Sequence, residues 1–367
     1  MNLDKMVRKK IMLRVLIVDD TALYRKILRD VLENIPGVQV VGTAYNGKIA
    51  LEKIDMLQPD LVTLDVEMPE MNGLQTLEHL RLRKQKPRVI MVSSLTKKDA
   101  MVTMRALHLG AFDFITKPDG GSIASNVKEL TEQFTPKIEA LLRQKQASVH
   151  PSYSVTPKDQ SARSYSPPTG TIKTPPRPRA VVVGISTGGP KALGEIIPRF
   201  PANFPVPIYI VQHMPPVFTR ALAESLNKKS SITVVEAENN MTGQPGHVYI
   251  APGNKQMKII HNGPFGAIQL TDDPPENFCK PSADYLFRSA GKTFGAHVLG
   301  VIMTGMGRDG TKGLEVMKQE GAYVIAQDQE TSTVFGMPME AIKAGVVDEV
   351  LPLQQIPDKI IQIVTKN

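Results

Sequence analysis

The chain has 367 residues, 41% hydrophobic and 22% charged, enough for two domains that each bury a core. No run of about 18 apolar residues could span a bilayer, the N-terminus lacks the apolar segment of a secretory leader, and a single cysteine excludes an internal disulfide or a cysteine-built metal site, so a cytoplasmic location is expected. The net charge of +8 comes from two segments, since residues 1–14 and 147–179 each carry five Lys/Arg against one Asp; a basic face for nucleic acid is therefore not expected.

In chain order, apolar runs at 15–18, 38–41, 61–64, 89–92 and 112–115 suit buried parallel strands, with amphipathic stretches such as 23–32 and 100–109 between them. Residues 147–178 are rich in Ser, Thr and Pro and lack apolar periodicity, as a flexible linker does. The alternation then resumes with strands expected at 180–183, 208–211, 232–235, 298–303 and 323–326. An antiparallel hairpin is expected from 247–250 and 257–260 around Ala251-Pro252-Gly253-Asn254. The predicted architecture is α/β: two doubly wound parallel sheets, the second Rossmann-like with an inserted hairpin, joined by the linker. The expected boundaries are 12–135, 136–178 and 179–367.

Asp19 and Asp20 end the first predicted strand, Asp65 the third and Lys117 the fifth, so a doubly wound sheet brings all four to one edge. Any one alone reads as a solvated loop residue; four in register do not. The carboxylates suit Mg²⁺, a hard cation that keeps room for phosphate oxygens and water. Asp65 then serves as a phosphoryl acceptor, with Mg²⁺ and Lys117 offsetting its charge. With Asp65 followed by Met68-Pro69, a hydroxyl at Ser93 and Lys117-Pro118, residues 12–135 resemble the receiver domain of two-component response regulators. The resemblance implies a flavodoxin-like fold, phosphorylation of Asp65 by a histidine kinase, and Ser93 and Phe114 as switch residues beside Lys117. Ser93 is preferred to Ser94 because it directly follows the strand.

In the second half, Gly184-Ile185-Ser186-Thr187-Gly188 follows a valine-rich strand and precedes a helix-like segment, the context of a nucleophile elbow. Such a turn lifts the Ser186 hydroxyl clear of the sheet; the alternative is a tightly packed or phosphate-holding glycine turn. Of the histidines, His213 directly follows the strand at 208–211 and so shares Ser186's edge, whereas His247, His261 and His297 flank the hairpin or precede a strand. Asp309 closes the loop Met303-Thr304-Gly305-Met306-Gly307-Arg308-Asp309-Gly310 and is the expected orienter of the base, with Asp328 as competitor. Asp272, Asp273 and Asp284 read as surface-loop charges, and Cys279 as a small packed apolar group. Backbone amides near Thr187 and Met306 are the expected oxyanion donors.

These segments, with Gln212-His213-Met214, Ala251-Pro252-Gly253 and Gly336-Met337-Pro338, resemble the catalytic domain of the CheB chemotaxis methylesterases. The resemblance reaches most of the chain outside residues 1–11 and the linker, and departs from the family's usual Gly-Ala-Ser at Ile185. It implies a serine esterase needing no cofactor for hydrolysis, acting on glutamyl γ-methyl esters of methylated chemoreceptors. It also implies deamidation of receptor glutamines, a chemotaxis histidine kinase as phosphodonor, and an unphosphorylated receiver that covers the catalytic cleft. The competing reading is a response regulator with a DNA- or nucleotide-binding output; an alternating, slightly acidic second half without a P-loop pattern opposes it.

Overall fold

The computed structural model describes residues 11–84, 86–149 and 176–366, which form two compact units, each built on its own parallel sheet. Most of the expected linker, like residues 1–10, lies outside the described residues.

The first ten elements are β1 (Leu13–Val18), α1 (Ala22–Glu33), β2 (Val38–Ala44), α2 (Gly47–Leu57), β3 (Leu61–Asp65), α3 (Gly73–Arg81), β4 (Arg88–Ser93), α4 (Lys97–His108), β5 (Asp113–Thr116) and α5 (Ile123–Val149). The five strands pair in parallel in the order β2-β1-β3-β4-β5. β3 is buried along its whole length and β1 nearly so, because a parallel sheet covered on both faces needs continuous apolar runs rather than alternation. Helix starts are fixed locally: Thr21 caps α1, Asn46 caps α2, and Asn72 with Gln75 forms a capping box at α3. β1 is followed in sequence by its neighbour on one side, β2, and then by its neighbour on the other, β3, so the strand order reverses there. The crevice beyond their carboxyl ends lies between Asp19-Asp20 and Asp65.

The later elements are β6 (Ala180–Ile185), α6 (Gly189–Ile196), β7 (Ile208–Gln212), α7 (Phe218–Asn227), β8 (Thr233–Glu236), β9 (His247–Ile250), β10 (Gln256–Ile260), β11 (Ala267–Thr271), α8 (Ala283–Phe294), β12 (Val298–Ile302), α9 (Thr311–Gln319), β13 (Tyr323–Gln327), α10 (Met337–Lys343), β14 (Glu349–Leu351) and α11 (Ile356–Thr365). Seven of these strands form a sheet in the order β14-β13-β12-β6-β7-β9-β8, parallel at every pairing. β6 is central and lies where the order reverses, with β7 on one side and β12 on the other.

A hairpin is present, but not between the segments expected. β9 joins the main sheet in parallel with β7 and β8, while β10 pairs antiparallel with β11 in register Gln256↔Thr271. The reason is burial: Val248, Tyr249 and Ile250 are consecutively buried, as in a strand covered on both faces, which an exposed hairpin arm cannot provide. Helix α8 ties the hairpin to the domain, since Ser289 Oγ accepts from Ile259 N at 3.0 Å and Thr293 Oγ1 donates to Ile259 O at 2.9 Å. Ala283, Leu286, Phe287 and Ala290 on its other side enter the core with Val182, Val211 and Ile302. That docking fixes the start of α8 beneath the loops that follow β6, β7 and β12.

Candidate active site

Ser186 directly follows β6, His213 directly follows β7, and Asp309 lies in the loop after β12, so three neighbouring strands deliver the three side chains to one edge. The elbow turns sharply at Gly188, whose φ of +81° suits glycine, and Gly189 N donates to Ser186 O at 2.7 Å. Ser186 N donates to Thr304 O at 2.9 Å, which ties the elbow to the β12 loop. Gly305 is confined as well: a Cβ there would come 2.8 Å from Ser186 Cβ and 2.3 Å from Met337 Sδ. The His213 backbone is bound in turn to the end of β6, His213 N donating to Ile185 O at 3.2 Å, while Gln212 Nε2 donates to Ser186 O at 3.1 Å.

The imidazole of His213 has Asp309 Oδ2 2.7 Å from Nε2 and Cys279 Sγ 3.6 Å from Nδ1. Among the described residues no hydrogen bond joins the ring to the Ser186 hydroxyl, as is common before substrate tightens such contacts. Asp309 is buried and also accepts from Ser282 Oγ at 2.7 Å, Ala283 N at 2.6 Å, Asp284 N at 3.3 Å and Asn277 Nδ2 at 3.0 Å. The amides belong to the first turn of α8, which Ser282 caps, so a helix N-terminus faces the carboxylate. Burial pushes the Asp309 carboxyl up, but the bonds from His213, Ser282 and Ala283 outweigh it and hold it at about 2. For His213 burial disfavours the charged ring; Cys279 and Asp309 more than offset this, so its pKa is raised.

The other sequence candidates lie elsewhere. Asp328 Oδ1 accepts from Thr331 N and Oγ1, His247 faces Pro245 O and His297 faces Arg177 O. His261, Asp272 and Asp273 are exposed. Two expectations are corrected. Asp284 is not a surface-loop charge: it is 1% exposed and accepts from Gly313 N and Asn277 Nδ2, both at 2.7 Å. Cys279 is not a packed apolar group; its sulfur faces the His213 ring. Asn277 and Ser282 carry no motif and went unnoticed in the sequence; Ser282 followed by a helical pattern was the one available signal. A cleft of about 390 Å³ opens beside His213, with Met214, Pro215, Phe278, Cys279 and Lys280 in its lining. Among the described residues Met306 N has no hydrogen-bond acceptor; Thr304 Oγ1 donates to Thr187 O at 2.9 Å.

At the edge of the first sheet, Lys117 Nζ lies 2.8 Å from Asp65 Oδ2 and 2.9 Å from Asp19 Oδ2. Asp19 Oδ1 accepts from Thr21 N and Oγ1, and Asp65 Oδ1 from Val66 N. Asp19 and Asp65 are buried while Asp20 is exposed. Burial raises the Asp65 carboxyl to about 7, with Lys117 opposing and Asp19 adding to the rise. Burial likewise works against the charge on Lys117, and Asp65 and Asp19 overcome it. Asp19, Asp20 and Asp65 offer carboxylate oxygens within 4.8 Å of one another, a hard oxygen set that fits Mg²⁺. Ser93 ends β4 buried, its Oγ donating to Ser94 O at 3.3 Å, and Phe114 is buried in β5. No helix among the described residues is long and apolar enough to cross a membrane.

Residues 181–360 match the family described as CheB methylesterase, and residues 15–128 the response regulator receiver domain. The chain is 50% identical over 359 residues to a protein-glutamate methylesterase/protein-glutamine glutaminase of Desulfotalea psychrophila, covering 96% of this chain and 98% of that one. A relative of the same description from Thermotoga maritima is 42% identical over 352 residues, 96% of this chain and 98% of the other. The crystal structure of the Thermotoga maritima CheB methylesterase catalytic domain is 44% identical with a TM-score of 0.50, spanning 51% of this chain and 99% of that one. With the second half so matched, a DNA- or nucleotide-binding output is not favoured.

Proposed function

Since this chain belongs to the family of CheB protein-glutamate methylesterases with a receiver domain, we propose that Ser186, His213 and Asp309 form its catalytic triad and that Asp65 is its phosphorylation switch. The observation that carries the first assignment is the Asp309–His213 pair at 2.7 Å, in the segments that follow the two strands adjoining that of Ser186. The substrate is the γ-methyl ester of a glutamyl side chain on a methylated chemoreceptor, in the cytoplasm, and receptor glutamines are deamidated by the same route. Residues 12–135 form the receiver and 179–367 the catalytic domain, joined by 136–178.

Ser186 Oγ attacks the ester carbonyl while His213 Nδ1 takes its proton, Nε2 being engaged by Asp309. The amides of Thr187 and Met306 receive the oxyanion, each contributing about 3 kcal/mol to transition-state stabilisation. The tetrahedral adduct collapses, the C–O bond to methoxide breaks, and the proton from Nδ1 leaves with it as methanol. Water then attacks the acyl-serine, giving its proton to Nδ1; the ester bond breaks, Ser186 regains its hydrogen, and the glutamate carboxylate departs.

In the receiver, Asp65 accepts the phosphoryl group of a chemotaxis histidine kinase, and Lys117 holds the charge of the modified side chain. Ser93 and Phe114 respond to that charge. Asp19, Asp20 and Asp65 would hold Mg²⁺, which when bound neutralises the phosphoryl oxygens. Methanol release from methylated receptor membranes, by wild type and Ser186→Ala with and without a small phosphodonor and Mg²⁺, tests the whole reading. Release that rises on phosphorylation and is lost in the variant is expected; equal release by both proteins removes Ser186 as nucleophile.

A further inference from the structure

Residues 276–279 make a tight turn whose tip stands at the cleft beside His213. Glu276 N donates to Cys279 O at 3.1 Å and Cys279 N to Glu276 O at 2.8 Å, closing a two-residue loop. Its central residues, Asn277 and Phe278, have φ of +50° and +63°, the signs of a type I′ turn. Asparagine is at home at the first position, but the second favours glycine, and a bulky residue held there is strained. The turn is held from several sides. Asn277 Nδ2 bonds Asp284 and Asp309, Cys279 Sγ donates to Asn277 O at 3.4 Å, and Arg288 clasps the Glu276 carboxylate with both terminal nitrogens.

Nothing in the catalytic domain repays the phenylalanine. Its relative exposure is 104%, the highest of the large apolar side chains among the described residues, and the sulfur of Cys279, the next residue, lies 3.6 Å from His213 Nδ1. Strained positions persist where surrounding structure over-determines them, and they concentrate at ligand clamps. Met214 and Pro215 give the adjoining cleft further apolar wall, so an apolar tip is continuous with an apolar surface beside the reacting groups.

We propose that Phe278 is a substrate anchor, receiving the apolar flank of the helical receptor segment that carries the methyl-esterified glutamate. This rests on the esterase reading above. Residues three or four apart lie on one face of a helix, so a single turn carries both an esterified glutamate and a neighbouring apolar side chain into the cleft that His213 and Phe278 line. Rigid aromatic residues at low entropic cost are the usual anchors of such contacts.

The test compares the full-length wild type with Phe278→Ala, Phe278→Gly and Phe278→Leu on methylated receptor membranes and on the small soluble ester p-nitrophenyl acetate. Phe278→Ala is expected to raise KM for receptor about tenfold, the effect of a typical anchor, with a much smaller change on the small ester and Phe278→Leu restoring most of the affinity. Phe278→Gly relieves the backbone, so its Tm should hold or rise while KM still increases. An unchanged receptor KM, or an equal loss on both esters, overturns the anchor. So does Phe278-dependent sedimentation with receptor-free phospholipid vesicles, which assigns the residue to the membrane, or a Phe278-dependent dimer by light scattering, which assigns it to a second copy. Retention of both activities by Ser186→Ala would instead remove the esterase reading, and the anchor with it.

Discussion

Asp309 Oδ2 meets His213 at Nε2, 2.7 Å away, and Cys279 Sγ lies 3.6 Å from Nδ1, so in the proposed mechanism Nδ1 is the nitrogen that exchanges a proton with Ser186. An asparagine at 309 would present an amide to Nε2 and stabilise the wrong tautomer. Asp309→Asn should lower kcat for receptor demethylation by about 10⁴-fold with little change in KM, as steady-state methanol release will measure.

The same carboxylate links activity to acid stability. Its pKa of about 2 lies below the ordinary aspartate value of 3.8, so its contribution to folding is complete above about pH 4 and is lost as pH falls through 2. Thermal unfolding of wild type should therefore steepen over that window, and Asp309→Asn should flatten it.

His213 titrates in the opposite sense. With its pKa raised, the neutral ring that accepts a proton becomes abundant only at higher pH, and Cys279 is one of the groups responsible. The ascending limb of kcat/KM against pH should lie above the usual histidine value, and Cys279→Ala should move it downward. A limb in the same place in both proteins would separate Cys279 from the base.

Asn277 bridges two buried carboxylates, Asp284 Oδ2 at 2.7 Å and Asp309 Oδ1 at 3.0 Å. Asn277→Ala leaves both short of a donor and should cost about 1–3 kcal/mol in urea unfolding. Gly305→Ala acts on the proposed nucleophile instead, because the new methyl would collide with Ser186 Cβ and Met337 Sδ. A displacement of about 1 Å at the nucleophile corresponds to about 10²-fold in kcat, read by small-ester hydrolysis.

In the receiver, Lys117 bridges Asp19 and Asp65 through one ammonium group. Asp65→Asn should abolish stimulation of methanol release by a small phosphodonor, and Lys117→Ala should weaken it severely. Removing Mg²⁺ with a chelator should prevent incorporation of phosphate into wild type, followed by radiolabel.

The sequence made the strand-end residues legible because parallel strands covered on both faces read as apolar runs, and whatever follows a run lies at one edge of the sheet. Asp19, Asp65, Lys117 and His213 are legible that way, and Ser186 through the elbow motif at 184–188 that follows its strand. What it concealed depends on docking between distant segments. β9 reads as a hairpin arm because its run is short and its neighbour in sequence is a strand, whereas its pairing with β7 is a matter of core burial. Asp284 looked like a loop charge because nothing local discloses that α8 starts beneath Asp309, and the turn at 276–279 reaches His213 only through the docking of that helix.

The central position of β6 has a further consequence for a chain emerging from the ribosome. The elbow and β7 are made early, but the far side of β6 is filled by β12, which appears more than a hundred residues later. On the proposed triad, Ser186 is thus synthesised long before Asp309, the carboxylate paired with His213, and a nascent polypeptide is expected to be hydrolytically silent until most of the C-terminal half has been translated.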